Sequence, residues 1–306
     1  MEWSERMNAA LDYIEGNLTD DIDIEKVARI ACCSSFHFRR MFIAFAGVTA
    51  AEYVRRRRMT LAARELSSEK TRVIDAAVKY GYDSPDAFSR AFRYVHGITP
   101  LAARGPGVVL AAYPRISFSR NLAGGDNMDY KIIEKPAFDI IAKSRKFTTV
   151  QGENFIKIPQ FWDELMQGEN GFKALMKLTQ DKTGAVTGAG SLGICMMDEV
   201  NDKFTYAIGV EKPAGKETPA GFEVIHIPAA HWAVFKSIGP MPKAIQDITV
   251  KIFKEWFPST GYEHAPIPEL EVYLPGNPDN QDYRCQVWIP IIKRGKSRLL
   301  TDNRIT

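Results

Sequence analysis

Apolar residues in the first third of the chain recur every three or four positions, in segments that glycine and proline interrupt. This period is typical of amphipathic helices. From residue 128 to 293 short apolar runs predict strands, and two helical segments each carry an aromatic pair, Phe161-Trp162 and Trp256-Phe257. Between these parts, glycine-rich turns predict a linker over 108–127. The pattern therefore predicts a multidomain α and α+β protein, with an all-α domain over 1–107 and an α+β domain over 128–293.

The helical part repeats itself at an offset of 50 residues. Seven of the 26 positions from 24 to 49 are identical to the positions 50 residues later. Each copy predicts a short helix, a tight turn and a second helix that begins at a serine cap and ends at a glycine. This is the pattern of a helix-turn-helix unit, whose second helix enters the major groove of DNA. The identical pairs are Ile24/Ile74, Ser34/Ser84, Phe38/Phe88, Arg40/Arg90, Phe42/Phe92, Gly47/Gly97 and Thr49/Thr99.

Residues 49–67, between the two copies, contain neither glycine nor proline and predict one continuous helix. At 1.5 Å per residue it would span ~28 Å. That length can hold two second helices about one DNA turn (~34 Å) apart on one side of a duplex. Positions that both copies share should be scaffold, so we expect a core of Phe38, Phe42, Phe88 and Phe92 with Ile24 and Ile74 beneath it. The acidic opening segment, residues 3–17, should pack as the first helix.

The net charge of +3 conceals a basic block over residues 29–104, where 14 Lys and Arg, 12 of them Arg, face six Asp and Glu. The planar arginine fork suits phosphate oxygens and guanine edges. A solvated helical face would give the same composition, so charge alone does not decide. The run Arg55-Arg56-Arg57-Arg58 cannot all face DNA on a helix, and we expect one or two near phosphates and the rest in water.

The pattern S-x-x-x-F-x-R-x-F…G-x-T, present twice, and the ending Gly97-Ile98-Thr99-Pro100 resemble the DNA-binding domain of the AraC family over residues 8–104. One departure is Ala103, where the family usually has an aromatic residue before the final arginine. Arg39 is the preferred candidate for reading a guanine, and Phe36 could contact a thymine methyl. Arg40 and Arg90 could instead be structural or contact phosphates. By the family's register the DNA-contacting candidates are Ser35, Phe36, Arg39, Arg40, Ser84, Asp86, Ser89, Arg90 and Arg93.

The second domain contains a weak internal echo, because residues 133–144 resemble residues 225–237. A helix, a strand, a loop and another strand follow each copy, which predicts two β-β-α-β-β halves about a pseudo-twofold axis with a cleft between them. Aligning Leu192 with Leu270 puts Gly193 opposite Glu271, so one half has a carboxylate that the other lacks. A carboxylate among aromatic faces suits a lipophilic cation. The ligand-binding candidates are Glu271, Tyr273, Trp232, Phe235, Trp288 and Tyr206.

Two alternatives remain for these residues. Glu271 could lie on the solvated face of an edge strand, and Trp162 and Trp256 are expected in the core. The segments Pro268–Tyr273 and Val287–Ile291 resemble the GyrI-like effector-binding domain over residues 128–293. Some regulators, the Rob-like ones, join that domain to AraC-type DNA-binding units. The resemblance implies a pocket for drugs or lipophiles with a central glutamate, which maps to Glu271.

The sequence therefore predicts a cytoplasmic, non-enzymatic transcription regulator that binds double-stranded DNA and a small-molecule effector, and that acts through DNA affinity or through RNA polymerase. A second hypothesis is a hydrolase of electrophilic small molecules with Glu271 as its base. No apolar run is long enough to span a membrane, and the first residues do not form a signal peptide. The four cysteines and five histidines lack metal-site spacing, no cofactor is indicated, and the polar tail 294–306 is expected to be disordered.

Overall fold

The computed structural model divides into two compact units, unit 1 (residues 1–119) and unit 2 (residues 120–306). The tail expected to be disordered, residues 294–306, lies outside the described residues, as does the end of the predicted linker from residue 119. In the part of the chain that is described, no helix is long and apolar enough to cross a bilayer. The described residues are 2–67, 71–105, 107–118, 128–148, 153–167, 171–179, 182–197 and 203–293.

Unit 1 is helical throughout its regular structure. Its helices are α1 (Trp3–Gly16), α2 (Ile24–Ile30), α3 (Ser35–Ala46), α4 (Ala50–Leu66), α5 (Val73–Lys79) and α6 (Pro85–His96), followed by a 3₁₀ turn at Ala102–Arg104. Side-chain oxygens of Ser34, Thr49 and Ser84 accept hydrogen bonds from backbone N–H groups in the first turns of α3, α4 and α6. Gly47 and Gly97 end α3 and α6 in the left-handed conformation, which glycine adopts without steric cost. The two predicted helix-turn-helix units and the helix between them are confirmed.

Each helix-turn-helix unit has an aromatic core. Phe38 and Phe42 of α3 are fully buried, as are Phe88 and Phe92 of α6. The scaffold predicted from the repeat is therefore confirmed at these four positions.

The prediction that Ile74 lies beneath this core is wrong, since 49% of its surface is exposed. The first helices of the two units align at an offset of 49 residues, because Ala76 and Ala77 are buried in α5 where Val27 and Ala28 are buried in α2. The second helices align at an offset of 50. The turn of the second unit thus contains one extra residue between its left-handed residue, Gly81, and the cap of α6. That insertion moves Ile74 out of the position that Ile24 occupies.

The first part of the segment predicted as a linker packs on unit 1. Tyr113 donates its backbone N–H to Thr60 Oγ1 at 3.1 Å and lies with Leu110 on the core of the second helix-turn-helix unit. Phe118 is 3% exposed and contacts the rings of Trp3, Phe42 and Phe45. Residues 107–118, named the strap here, therefore touch both helix-turn-helix cores.

Unit 2 is an antiparallel sheet with helices. In the described part of the chain, nine strands form one sheet in the order β1-β6-β9-β8-β3-β4-β2-β5, and β7 pairs with β9. The helices are α7 (Glu153–Gln167), α8 (Phe172–Thr179) and α9 (Lys243–Lys251), which continues through a π-helical turn at Ile252–Trp256 into α10 (Phe257–Ser259). The strands are β1 (Tyr130–Lys135), β2 (Phe138–Thr148), β3 (Ser191–Met197), β4 (Lys203–Glu211), β5 (Glu223–Ile227), β6 (Ala230–Ile238), β7 (Tyr262–His264), β8 (Glu269–Tyr273) and β9 (Arg284–Lys293).

The strand order confirms the two β-β-α-β-β halves and adds an exchange between them. The first strand of each half pairs with the other half, so that β1 lies beside β6 and β5 beside β2. The two halves meet at the centre of the sheet, where β3 pairs with β8. The sequence alignment that placed Gly193 opposite Glu271 thus matches a direct cross-strand pair at the pseudo-twofold axis.

The sheet has two faces with different contents. One face carries Leu192, Leu270 and Trp288 within a large apolar core. On the other face Tyr206 and Ile208 of β4 pack with Phe161 and Leu165 of α7. Because side chains alternate along a strand, residues one position apart lie on opposite faces. Glu271, which follows Leu270, therefore lies on the α7 face.

Candidate functional site

The second helix of the second unit, α6, presents several predicted DNA-contacting side chains to solvent. Asp86, Arg90 and Arg93 are exposed and Ser89 is half-buried. They lie opposite the buried stripe that Phe88 and Phe92 form on the same helix. Ser84 is the N-cap of α6 and its hydroxyl accepts a hydrogen bond from the Ala87 N–H at 3.1 Å. Ser84 therefore caps α6, whereas a DNA contact by Ser84 stays a prediction.

In the first unit, α3 buries His37, Phe38, Met41 and Phe42. The predicted DNA-contacting residues occupy the intervening positions and all are half-buried: Ser35, Phe36, Arg39 and Arg40. Helical spacing places 35, 36, 39 and 40 on one side of α3, away from the core positions 38 and 42. Both helices therefore have a buried aromatic face and an opposite face that carries arginines, which are exposed on α6 and half-buried on α3.

The four arginines of the run on α4 all have hydrogen-bond or ion-pair partners within unit 1. Arg55 and Arg56 bond the buried Glu52 at 2.6 Å each. Arg58 donates to the carbonyl oxygens of Leu18 and Asp20 at 2.8 Å. The expectation that the arginines not near phosphates lie in water is therefore wrong, because Glu52 of the same helix accepts Arg55 and Arg56 and backbone carbonyls accept Arg58.

Among the ion-paired arginines Arg55, Arg56 and Arg57, Arg57 has the least exposed side chain, at 13%. Its guanidinium lies 2.7 Å from Glu15 of α1 and donates to the Tyr113 carbonyl of the strap at 2.7 Å. Tyr53 donates its hydroxyl to the same Glu15 at 2.6 Å. Burial opposes ionisation of Glu15, but the hydrogen bonds from Arg57 and Tyr53 outweigh it and hold the Glu15 pKa below its usual value. Arg57 is therefore a structural centre that joins α1, α4 and the strap.

In unit 2 three predicted ligand-binding residues meet around one carboxylate. Tyr206 of β4 and Tyr273 of β8 both donate their hydroxyls to Glu271 Oε2, the second at 2.9 Å. Trp162 of α7 donates its indole N–H to the Tyr206 hydroxyl at 3.1 Å, and its ring lies 5.0 Å from that of Tyr273. We name Glu271, Tyr206, Tyr273 and Trp162 the carboxylate cluster.

The electrostatics of the cluster keep both phenols protonated. Burial raises the pKa of Tyr206 and of Tyr273 well above the ordinary value, and the negative charge of Glu271 raises each further. A phenol that retains its proton is a hydrogen-bond donor at every ordinary pH. The cluster therefore presents a carboxylate, two fixed donors and an indole face, which together can hold a cation by charge and by contact with the aromatic rings.

Glu271 is not on an edge strand, because β8 lies between β3 and β9. The alternative of a solvated edge strand is thus wrong, and Glu271 is half-buried. Trp162 packs against the apolar core on the α7 face, as expected, and also donates its indole N–H to Tyr206 in the cluster. Trp256, by contrast, is 2% exposed and packs against Phe257, as expected of a core residue.

The other three predicted ligand-binding residues lie apart from the cluster. Trp232 and Trp288 pack on each other within the apolar core of the opposite sheet face. Phe235 is on the Glu271 face, two strands away through Val287, and packs against Trp256 at 5.1 Å. Strand alternation explains the difference, since residues 232 and 235 are three positions apart and must face opposite sides.

A metal centre has no support in the described residues, among which no group of three or more His, Cys, Asp or Glu side chains could hold an ion. His264 and Glu269 form a buried pair at 2.9 Å beside the rings of Phe253 and Phe257. This pair could not be predicted from the sequence, because His264 lies on β7 and Glu269 on β8.

Comparison with known proteins finds two family matches, one in each unit of the chain. Residues 131–291 match the family model of the integron-associated effector binding protein, and residues 27–105 match a helix-turn-helix domain. The chain belongs to this effector-binding family and carries an AraC-type helix-turn-helix domain before it; it is a DNA-binding transcription regulator with a GyrI-like effector-binding domain.

Curated relatives match the helical part. The HTH-type transcriptional activator AarP of Providencia stuartii is 38% identical over 94 residues, which cover 31% of this chain and 70% of that protein. The Transposon Tn10 TetD protein of Escherichia coli is 40% identical over 88 residues, covering 29% and 64%. The multiple antibiotic resistance protein MarA of Salmonella typhimurium is 31% identical over 94 residues, covering 31% and 74%.

Two solved structures resemble unit 2. SAV2435 bound to tetraphenylphosphonium is 21% identical with a TM-score of 0.47, covering 57% of this chain and 99% of that one. An integron cassette protein from the mobile metagenome of Vibrio cholerae is 14% identical with a TM-score of 0.40, covering 53% and 95%.

Proposed function

We propose that α3 and α6 read two successive major-groove segments of one DNA duplex, and that a lipophilic cation bound at Glu271 controls transcription from that site. The observation that carries the DNA part is the shared geometry of the two helices, each with a buried aromatic face and arginines on the outer face. Such a regulator works where the DNA is, so we place it in the cytoplasm. Control acts through DNA affinity or through RNA polymerase, and it requires that the effector bind two states with different affinity.

Within this proposal Arg39 reads a base. We expect Arg39→Ala to relax the sequence preference at one position of the binding site, because a bidentate arginine–guanine contact contributes about 1–3 kcal/mol of discrimination. The measurement is the binding preference of wild type and variant over a randomised DNA library.

Arg29→Ala is the matched control, since Arg29 is a 69% exposed arginine on α2 paired with Asp23. It removes the same charge from outside the reading helix and should leave the preference unchanged. A uniform loss of affinity for all sequences in Arg39→Ala would assign Arg39 to a phosphate and contradict its role as a base reader.

The effector part rests on the carboxylate cluster. A carboxylate held among buried aromatic side chains favours a ligand that brings positive charge and apolar surface together. When no effector is bound, Tyr206 and Tyr273 donate hydrogen bonds to the Glu271 carboxylate. These bonds lower the desolvation cost of burying Glu271 beneath α7. The cluster therefore supports a lipophilic cation as the effector.

We expect Glu271→Gln to weaken binding of tetraphenylphosphonium by about 30-fold, because the variant removes the charge that pairs with the cation but keeps the size of the side chain. Binding of neutral triphenylphosphine oxide should change little. Isothermal titration of both compounds against both proteins measures the difference.

Glu164→Gln provides the control for net charge, since Glu164 is an exposed carboxylate on the same helix as Trp162 and pairs with Arg145 on the surface. Equal losses for the cation and the neutral compound in Glu271→Gln would place Glu271 outside the binding site. If Glu164→Gln and Glu271→Gln lose equal affinity for the cation, the effect comes from net charge and not from a contact with Glu271.

We further propose that the effector is bound and released unchanged, rather than hydrolysed. A general base must be placed to take a proton from water. Glu271 Oε2 already accepts hydrogen bonds from two phenols that retain their protons. Mass spectrometry of an electrophilic ligand after incubation tests this point, and turnover that Glu271→Gln abolishes would overturn it.

A further inference from the structure

Gly193 of β3 lies directly against the carboxylate cluster. It pairs with Glu271 of β8 on one side and with Ile208 of β4 on the other. A Cβ atom at this position would lie 2.5 Å from Glu271 Oε2 and closer still to the Tyr206 hydroxyl. Gly193 is not among the glycines with positive φ. The glycine therefore provides space rather than an unusual backbone conformation.

The Tyr206 hydroxyl and the Glu271 carboxylate occupy that space and are hydrogen-bonded to each other there. The two residues come from β4 and β8, and β3 lies between those strands. Adjacent strands are about 4.8 Å apart, so the two side chains must reach toward each other across β3. They meet over Gly193, the one place on that strand where no side chain stands between them.

The pseudo-twofold axis shows that the two halves contribute different parts of this arrangement. Gly193 and Glu271 are equivalent positions in the two halves and pair with each other. Two residues further along β3 and β8, Cys195 pairs with Tyr206 and Tyr273 pairs with Cys285, so the equivalent of Tyr206 is Cys285. One half therefore supplies the space and the phenol, and the other half supplies the carboxylate.

We propose that Gly193 determines effector specificity. Because it has no side chain, the Tyr206 hydroxyl can donate a hydrogen bond to Glu271. A carboxylate that already accepts this bond selects cations that carry no N–H donors. This inference rests on the proposed function, since it assumes that the effector meets Glu271. Every N–H that a ligand buries without an acceptor costs about 1–3 kcal/mol. A primary ammonium brings three donors, whereas a quaternary ammonium brings none.

The acceptors near Glu271 explain the direction of the preference. Oε2 already accepts from Tyr206 and Tyr273, and the Tyr206 oxygen in turn accepts from Trp162. At Oε2 a primary ammonium therefore competes with two phenols, while a quaternary cation needs only charge and ring faces. Removing the Tyr206 donor returns acceptor capacity to Glu271 and should favour the ammonium.

The experiment compares 4-phenylbutylamine with its N,N,N-trimethyl derivative, which share a ring and chain and differ in the headgroup. We expect the full-length wild type to prefer the trimethyl compound. Gly193→Ala, whose methyl group separates Tyr206 from Glu271, and Tyr206→Phe, which removes only the hydroxyl, should both lower this preference by about tenfold, the size of one hydrogen bond. Tyr262→Phe is the control, since Tyr262 stacks on Trp256 away from Glu271.

A role of Gly193 in packing alone would lower thermal stability without changing the ratio of the two dissociation constants. An unchanged ratio in both variants, with both compounds still dependent on Glu271, would overturn this inference and leave the proposed function standing. If neither compound binds wild type in a Glu271-dependent manner, the proposed function fails as well. If Gly193→Ala does not fold, the ratio in Tyr206→Phe decides.

Discussion

Replacing Arg57 with methionine is expected to lower the free energy of unfolding of unit 1 by about 3–5 kcal/mol, the usual effect of breaking a buried ion pair. The variant would leave Glu15, whose side chain is 15% exposed, without its ion-pair partner, and the Tyr113 carbonyl without the Arg57 donor. Methionine keeps an unbranched side chain in the helix. The loss in unfolding free energy therefore measures the contribution of the guanidinium charge and its hydrogen bonds. Hydrogen exchange at the amides of α1 and α4 in the full chain measures it.

Arg29→Met is the control, because its exposed pair with Asp23 should contribute less than about 1 kcal/mol. The pH dependence adds a second test. A carboxylate whose pKa is lowered by folding stabilises the fold above its unfolded pKa of about 4.3 and loses that contribution as the pH falls through the folded pKa. The difference in the free energy of unfolding between wild type and Arg57→Met should therefore become smaller in acid. A difference that stays constant below pH 4 would contradict the Glu15–Arg57 pairing.

Much of unit 1 could be predicted because local chemistry specifies it. The caps at Ser34, Thr49 and Ser84 and the stops at Gly47 and Gly97 are short-range features, and the structure has helix ends at each of them. The position of Ile74 could not be predicted by sliding the chain against itself at one offset. One residue inserted in the second turn changes the register of α5 but not of α6.

The carboxylate cluster could be predicted only in part. Glu271 and Tyr273 are two positions apart on one strand, so they share a face in any register. Tyr206, Gly193 and Trp162 reach them through the order of β4, β3 and β8 and the placement of α7, which depend on long-range pairing. The partners of Arg57 were missed for the same reason, since α1 and the strap are far from α4 in sequence.

The position at which the chain is cut after the DNA-binding unit should strongly affect the stability of that unit. The chain cut after Gly107, the boundary predicted from the sequence, should be less stable by about 3–5 kcal/mol or more than the chain cut after Ser119. The shorter fragment loses Phe118, which is 3% exposed among the rings of Trp3, Phe42 and Phe45, and removal of a buried phenylalanine costs about that much. It also loses the Tyr113 contacts on the second core. Urea denaturation of both fragments, followed by far-ultraviolet circular dichroism, measures the difference.

Phe118→Ala in the longer fragment is the matched test, since it removes one ring and keeps the Asn8 side chain bonded to the backbone of residue 118. It should reproduce most of the loss. We also expect the fragment 1–119 to retain specific DNA binding in a gel shift, because the cores of both reading helices lie wholly within it. Equal urea midpoints for the two fragments would mean that the strap adds nothing to unit 1. Specific DNA binding only in the full chain would mean that α3 and α6 need unit 2 to hold their reading geometry.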